Sequence, residues 1–316
     1  SHGDAALIEH TMRFDSYPLR TEEDWRIGPE ACDHAFSALD PKLREALELA
    51  AGRIRDYHEH QLPRDRDYTD EAGIRLGARW RAVDAAGLYV PGGRASYPSS
   101  LLMNAIPAQV AGVERIVVVT PTPKGETNPL VLAAAHLLGI DEIWRIGGAQ
   151  AIGALAYGTE RIRPVDVIVG PGNAFVAEAK RQLYGVVGID MVAGPSEILV
   201  IADGKNDPDW IAADLLSQAE HDPQAQSILI TDDPIFAEQV EDRVDVQCSM
   251  LATQRTARAS WDEHGVLLVV SDMSEAPALA NRLAAEHVEL AVDDPEAMFA
   301  QIRHAGSVFL GRHVPE

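Results

Sequence analysis

The chain contains the stretch Arg115-Ile116-Val117-Val118-Val119-Thr120, in which apolar β-branched residues follow one another without a polar break. A strand buried on only one face alternates apolar and polar residues, whereas a strand covered on both faces is apolar throughout. The stretch therefore predicts a central strand of a parallel sheet with helices packed on both of its sides.

Similar apolar runs recur from about residue 87 onward, separated by stretches with helical spacing. The predicted strands lie at 142–146, 165–169, 198–202, 227–231, 266–270, 288–292 and 307–310, and the predicted helices at 128–138, 149–157, 173–183, 209–220, 274–285 and 295–304. This alternation indicates βαβ units. Because the units are too many for one small sheet, we predict an α/β fold with two open, mostly parallel sheets after a mostly helical segment over residues 1–85.

The composition limits the classes of function. A chain of 316 residues is long enough for about two domains. The formal charge of −22 disfavours nucleic acid and anionic lipid as partners. We expect no membrane span and no signal peptide, because no apolar run approaches the roughly 20 residues needed and the N-terminus lacks a basic region followed by an apolar run. Cys32 and Cys248 are the only cysteines and indicate free thiols in a cytoplasmic protein.

Three glycine-rich turns are predicted between strands and helices, over residues 87–93, 147–150 and 170–173. Glycine allows a ligand to approach the backbone closely, and the start of the next helix attracts anions. None of the turns matches the Rossmann fingerprint, since Phe175 stands where its third glycine belongs. Each turn alone is an ordinary connection, but together they indicate one cleft. The residues leave open whether it holds a dinucleotide, a phosphate or nothing.

Two pairs of polar residues carry further chemistry. Gln218 and His221 are three residues apart at the end of a predicted helix, so they share a face and could bind one metal ion together, or they form a solvated helix end. Glu286 and His287 precede a predicted strand and could divide proton transfer between them, or they are a surface pair. Ser196 is either a hydrogen-bond donor or a turn residue.

Taken together, long blocks of this sequence resemble the histidinol dehydrogenase family. The resemblance extends over nearly the whole chain in the family's order. The matching blocks are 87–93, 147–152, 170–176, 193–197, 215–221, 286–287 and 305–311.

The resemblance implies an NAD- and zinc-dependent enzyme that oxidises L-histidinol to L-histidine through an aldehyde, with two successive hydride transfers. It implies NAD contacts for Tyr89, Gln150 and Asn173. Zinc and substrate would be bound by Gln218 and His221, and substrate also by Ser196 and His287. Glu286 and His287 would be the acid–base pair.

The resemblance also implies two incomplete Rossmann-like domains and a cytoplasmic homodimer. We expect residues 89–197 to form the NAD-side domain, and residues 1–88 and 198–316 to form a discontinuous domain that carries the metal and substrate helix. Family members continue beyond the block that ends at Glu316. We therefore expect an incomplete copy that lacks an Asp and a His of the zinc site and a Glu near the substrate.

Two other functions remain open at this point. One is a dehydrogenase of another small polar alcohol, such as a sulfonated diol, with the same fold. The other is a catalytically impaired scaffold, which the expected loss of zinc ligands favours. Zinc content and NADH production on histidinol would separate the three.

Overall fold

The computed structural model of the chain describes residues 3–92, 98–192 and 194–314. Gly93, at the end of the first glycine turn, Ala193, and the final Pro315 and Glu316 lie outside these ranges. Contacts between residues divide the chain into two compact units, Ser1–Ala193 and Gly194–Glu316.

The first unit contains helices and strands in the order α1 (Gly3–Asp15), α2 (Glu22–Trp25), α3 (Pro29–Ser37), α4 (Pro41–Glu59), β1 (Arg66–Thr69), β2 (Arg75–Ala78), β3 (Ala85–Tyr89), α5 (Pro98–Ala111), β4 (Arg115–Val119), α6 (Pro129–Leu137), β5 (Glu142–Trp144), α7 (Gly148–Tyr157), β6 (Val167–Val169), α8 (Ala174–Leu183) and β7 (Gly188–Ile189). Its main sheet is parallel and has the order β5-β4-β3-β6-β7, while β1 and β2 form an antiparallel hairpin.

The run that predicted the fold forms β4, second in this sheet and covered on both sides. Val118 packs into the apolar cluster on one face of the sheet. Val117 and Val119 pack into the cluster on the other face, and all three side chains are fully buried. The prediction of a strand covered by helices on both faces is confirmed.

The second unit contains β8 (Glu197–Ala202), α9 (Pro208–Ala219), β9 (Gln226–Thr231), α10 (Pro234–Met250), α11 (Gln254–His264), β10 (Val266–Val269), α12 (Ala276–Leu283), β11 (His287–Ala291), α13 (Pro295–Phe299) and β12 (Ser307–Leu310). Its sheet is parallel and has the order β10-β9-β8-β11-β12. Side chains of β8 alternate between two apolar clusters, with Ile198 and Val200 on one face and Leu199 and Ile201 on the other. The α/β fold with two parallel sheets is thus confirmed.

The division of the chain differs from the predicted one at its N-terminus. Residues 1–88 were expected to join the segment after 198, but they belong to the first unit. The reason is apolar burial, since Cys32 and Ala35 of α3 and Leu47 and Ala51 of α4 lie in the same cluster as the first sheet and α6.

One predicted turn begins within a strand. Gly87 is buried in β3 and belongs to the sheet, not to a loop. A Cβ at this position would lie 2.9 Å from Leu155 Cδ1 and 3.1 Å from Val165 Cγ2. Glycine is required here by the close packing of α7 against the sheet, which is a different reason from ligand approach.

Two further findings concern the termini of elements and membranes. Asp40 caps α4, with its Oδ1 accepting a hydrogen bond of 2.9 Å from the backbone N–H of Lys42. Within residues 3–92, 98–192 and 194–314, no helix is both long and apolar enough to cross a bilayer.

Candidate functional site

In the first unit, the three residues expected to contact NAD lie at the carboxyl edge of the sheet. The sheet order places β3 in the middle, with β4 and β5 on one side and β6 and β7 on the other. The chain thus adds β4 and β5 on one side of β3 and then returns to add β6 and β7 on the other side. Open α/β sheets bind ligands at such a switch point in the strand order, here between β3 and β6. Tyr89 ends β3, Gln150 lies in the first turn of α7, and Asn173 follows β6.

Tyr89 links the loops around it. Its hydroxyl accepts a hydrogen bond of 3.1 Å from the backbone N–H of Gly148, at the start of α7. Burial raises the pKa of the Tyr89 phenol, the Gly148 N–H opposes that change, and nearby Asp15 adds to it. The phenol therefore stays neutral at physiological pH and keeps its proton as a hydrogen-bond donor.

The loop after β6 lies against the backbone of Tyr89. Gly170 has a φ of +109°, and a Cβ there would lie 2.2 Å from the Tyr89 carbonyl oxygen. Three residues later, Asn173 is exposed and caps α8, where its Oδ1 accepts hydrogen bonds of 3.1 Å from both Phe175 and Val176. Only glycine allows the loop to come this close to β3.

The start of α7 fits a negatively charged ligand. Its N-cap is Gly147, which provides no side chain to accept hydrogen bonds from the first backbone N–H groups. A Cβ at Gly147 would lie 2.4 Å from Pro121 Cβ. The Gln150 amide lies beside Gly148, with Oε1 2.8 Å from where a Cβ of that glycine would be. The Gly148 N–H donates to Tyr89, whereas the N–H groups that follow it in a glycine-capped helix start, beside the Gln150 amide, suit the phosphates of a dinucleotide.

In the second unit, the predicted substrate and acid–base residues gather at the amino edge of the sheet. His287 is the first residue of β11, in register with Ile198 of β8 on one side and Ser307 of β12 on the other. Ser196 lies two residues before Ile198, and its carbonyl accepts a hydrogen bond of 3.1 Å from Gln226.

Glu286 precedes His287 at the same edge. Its backbone carbonyl accepts a hydrogen bond of 2.8 Å from the N–H of Ser307, which fixes the start of β11. The Glu286 side chain is exposed, whereas the His287 ring is half-buried. That ring packs edge-on against Phe309, with 6.2 Å between ring centroids. Glu286 is thus accessible to water while His287 is held in place.

The end of α9 brings Gln218 to this edge. Gln218 is buried, with 6% of its surface exposed, and its Oε1 lies 3.3 Å from Nδ1 of His287. His221 follows the C-cap of α9 and is exposed, and its backbone N–H donates a 3.2 Å hydrogen bond to the Gln218 carbonyl. The prediction that Gln218 and His221 share one face of the helix is incorrect, because α9 ends at Ala219, before His221. Both residues nevertheless lie at the end of α9.

A metal site is incomplete among the described residues. They contain no group of three or more His, Cys, Asp and Glu side chains that could hold a metal ion. Gln218 and His221 offer two donors, fewer than the three protein ligands of a catalytic zinc. The described residues therefore do not form a zinc site by themselves.

Sequence reasoning missed Lys180, which is buried beneath the loop after β6. Lys180 is four residues after Val176 on α8, and both side chains are buried. The helical period therefore offered a signal, since a lysine at a core-facing position needs a partner. The partner, Asp190, is only ten residues further along the chain, but β7 lies between the two residues in sequence.

Comparisons with known proteins match the chain over its whole length. The family model described as histidinol dehydrogenase matches residues 1–316. The histidinol dehydrogenase of Zymomonas mobilis is 60% identical over 314 residues, which are 99% of this chain and 73% of that protein. The one from Rhodospirillum rubrum is 61% identical over 315 residues, covering 99% of this chain and 72% of that protein. The crystal structure of histidinol dehydrogenase from Elizabethkingia anophelis superposes with a TM-score of 0.94 at 38% identity, over 99% of this chain and 72% of that one.

Proposed function

The chain belongs to the histidinol dehydrogenase family, and from this we propose how its residues divide the reaction between them. Histidinol dehydrogenase is an oxidoreductase that catalyses the last step of histidine biosynthesis, and the family depends on NAD and zinc. The proposal concerns the individual residues, and the contact between His287 and Gln218 carries it.

NAD, when bound, would supply the hydride acceptor in each oxidation, and two NAD molecules would be needed in turn for the two hydrides. We assign its binding to Tyr89, Gln150 and Asn173. Two features support this assignment. The N-cap of α7, Gly147, has no side chain to cap the helix, and the close packing of Gly170 on Tyr89 holds the loop that leads to Asn173 beside β3. The neutral phenol of Tyr89 positions the start of α7 through the hydrogen bond from Gly148.

His287 is assigned as the base that takes the alcohol proton. In the tautomer that donates from Nδ1 to Gln218 Oε1, over 3.3 Å, Nε2 carries the lone pair and can accept a proton. Packing against Phe309 limits rotation of the ring. As hydride leaves the alcohol carbon, its hydroxyl proton passes to Nε2 and histidinaldehyde forms.

Glu286 is assigned as the base that activates water for the second half of the reaction. Its exposed carboxylate takes a proton from a water molecule as the oxygen adds to the aldehyde carbon. His287 returns to its neutral form by releasing the alcohol proton to solvent. Loss of the second hydride from the resulting hydrate anion leaves a carboxylic acid, whose proton passes to the neutral His287, and the product is the carboxylate of L-histidine. One water is consumed for each histidinol.

Gln218 and His221 are assigned as donors to zinc and as substrate contacts, with Ser196 as a further substrate contact. These residues would provide two of the zinc ligands, and the described residues contain no group of three or more His, Cys, Asp and Glu side chains to complete the site. We also propose a homodimer, which the resemblance to the family implies, and a cytoplasmic location, which the two free buried thiols support.

Asn in place of His287 tests the assignment, with His304→Asn as the control at an exposed histidine of the same unit. We expect the wild type to reduce two NAD molecules for each L-histidinol, measured by NADH absorbance. His287→Asn should lower kcat by about 100-fold or more, the typical contribution of a positioned base, without changing KM for NAD.

His304→Asn should match the wild type. Equal kcat for His287→Asn and wild type would refute the role of His287. No NADH from histidinol, with full zinc content by elemental analysis, would refute the activity itself and favour a scaffold.

A further inference from the structure

An ion pair between a buried lysine and a partly exposed aspartate lies beneath the loop that joins β6 to α8. The side chain of Lys180 on α8 is 4% exposed and that of Asp190, just after β7, is 30% exposed. The ammonium and the carboxylate are in direct contact. Burying a lysine is unfavourable unless a charge partner and hydrogen bonds replace the water around its ammonium. The contacts of Lys180 must therefore explain why it is buried here.

Both members of the pair bind the backbone of one residue, Gly170. Lys180 Nζ donates a hydrogen bond of 3.0 Å to the Gly170 carbonyl. The Gly170 N–H donates a hydrogen bond of 2.8 Å to Asp190 Oδ2. Asp190 Oδ1 also accepts a hydrogen bond of 2.7 Å from Met191. The ion pair thus holds both polar groups of a residue that adopts a φ of +109°.

Gly170 is where this loop touches Tyr89. Its Cα lies against the Tyr89 carbonyl, and Asn173, three residues later, caps α8. A change in the backbone at Gly170 would therefore move Asn173 relative to Tyr89. Because the two charges of the pair cancel, the loop is held without adding net charge beneath a site for anionic phosphates.

We propose that Lys180 and Asp190 are positioning residues for NAD, which fix the loop at Gly170 and so orient Asn173. They do not contact the cofactor. The proposal rests on the proposed function, because it takes Tyr89 and Asn173 to bind NAD. Removing a purely structural pair would lower the stability of the protein or impair all kinetic constants together. A positioning pair affects the loop and KM for NAD specifically.

The test compares Lys180→Met with Arg181→Met in the full chain. Arg181 is the next residue on α8 and also pairs with an acid, Glu178, but its side chain is 59% exposed. The first readout is hydrogen exchange without NAD, over peptides that contain residues 170–173. We expect exchange there to be about tenfold faster in Lys180→Met and unchanged in Arg181→Met, since hydrogen bonds to charged groups are each worth about tenfold or more.

The second readout is steady-state kinetics. KM for NAD should rise roughly tenfold in Lys180→Met and in Asp190→Asn, while KM for histidinol stays within about twofold. If Lys180→Met fails to fold because Asp190 has lost its charge partner, the double variant Lys180→Met/Asp190→Asn removes both charges and still lacks the bond to the Gly170 carbonyl.

Unchanged exchange at 170–173 in the lysine variants would overturn the proposal. So would a fall in kcat with KM for NAD equal to that of Arg181→Met. If the wild type does not oxidise histidinol, the proposed function fails, whereas the exchange data still decide whether the pair holds the loop.

Discussion

Replacing Gly170 with alanine tests how tightly the loop after β6 packs on β3. An alanine Cβ would lie 2.2 Å from the Tyr89 carbonyl oxygen, and backbone or carbonyl must move by about 0.8 Å to reach the 3.0 Å below which Cβ contacts are essentially never found. Such overpacking costs about 1–3 kcal/mol. The φ of +109° adds a further cost of about 1–3 kcal/mol for a residue with a Cβ.

Gly185→Ala is a matched control in the same unit. Gly185 has a φ of +98°, and a Cβ there would meet no atom within 4 Å. It should therefore show the backbone cost without the contact with Tyr89. We expect Gly170→Ala to lose about 1–3 kcal/mol more in free energy of unfolding than Gly185→Ala, measured by urea denaturation.

The two variants should also differ in cofactor binding. Because Gly170→Ala displaces either Tyr89 or the loop that leads to Asn173, KM for NAD should rise only in this variant. Equal losses of stability in both variants, together with unchanged KM for NAD in Gly170→Ala, would refute the close contact as the reason for glycine at this position.

Two further predictions concern stability. Burial alone would raise the pKa of Glu142, but hydrogen bonds from Arg115 and Trp144 outweigh burial and lower that pKa below its usual 4.5. The free energy of unfolding of Glu142→Gln should therefore be about 1–3 kcal/mol lower than that of the wild type at neutral pH, and the difference should fade as pH falls through the folded-state pKa, which chemical denaturation at pH 7 and pH 3 checks. As a control, Glu178→Gln should change stability little, because the Glu178 carboxylate, with a pKa of about 2, belongs to a solvent-exposed pair. Asp233 accepts hydrogen bonds of 2.9 Å from the backbone of Ile235 and 3.2 Å from that of Phe236 at the start of α10. Asp233→Ala should therefore lower the free energy of unfolding, measured by thermal denaturation, by about 1 kcal/mol, and Asp233→Asn should lower it much less. Equal losses of stability in the two variants would exclude the helix cap as the cause.

The main elements of both sheets could be predicted from sequence because their burial leaves a local pattern. Runs such as 116–119 are apolar throughout, and the predicted strand starts at 198, 227 and 288 each differ from the observed ones by one residue. The hairpin of β1 and β2 left no such pattern, since every residue in both strands is exposed. It is held by backbone pairing and by Asp70, whose Oδ1 accepts hydrogen bonds from Ala72 and Ile74 in the turn.

The contacts that build the site depend on pairs that are distant in sequence. His287 and Gln218 are 69 residues apart, and neither has a neighbour that indicates the other. Tyr89 and Gly148 are 59 residues apart. The resemblance to a family supplied the residues, but only the strand register explains why the start of β11 and the end of α9 meet. The same holds for Lys180, whose burial follows from its helix but whose partner does not.

The two sheets share one strand order, but the residues that we propose to bind NAD and those that we propose to act on substrate lie at opposite edges of their respective sheets. The charge at the two carboxyl edges accounts for this difference in the proposal. In the first unit, glycine loops and an uncapped helix start lie at the carboxyl edge, next to β3 and β6. In the second unit, a groove at that edge is lined by one lysine, Lys205, which pairs with Asp293, and by five aspartates: Asp203, Asp232, Asp233, Asp293 and Asp294.

Arg312 does not relieve the negative charge of this groove for a ligand. Its guanidinium donates hydrogen bonds of 2.7 Å to both carboxylate oxygens of Asp203 and one of 2.6 Å to Asp293, so its donors are used within the protein. Phosphates would therefore meet carboxylates at the point where an open α/β sheet ordinarily binds its ligand. The carboxyl edge of the second sheet is thus unsuited to a dinucleotide. Its amino edge, where β11 begins at His287 and α9 ends beside Gln218, carries the polar side chains instead.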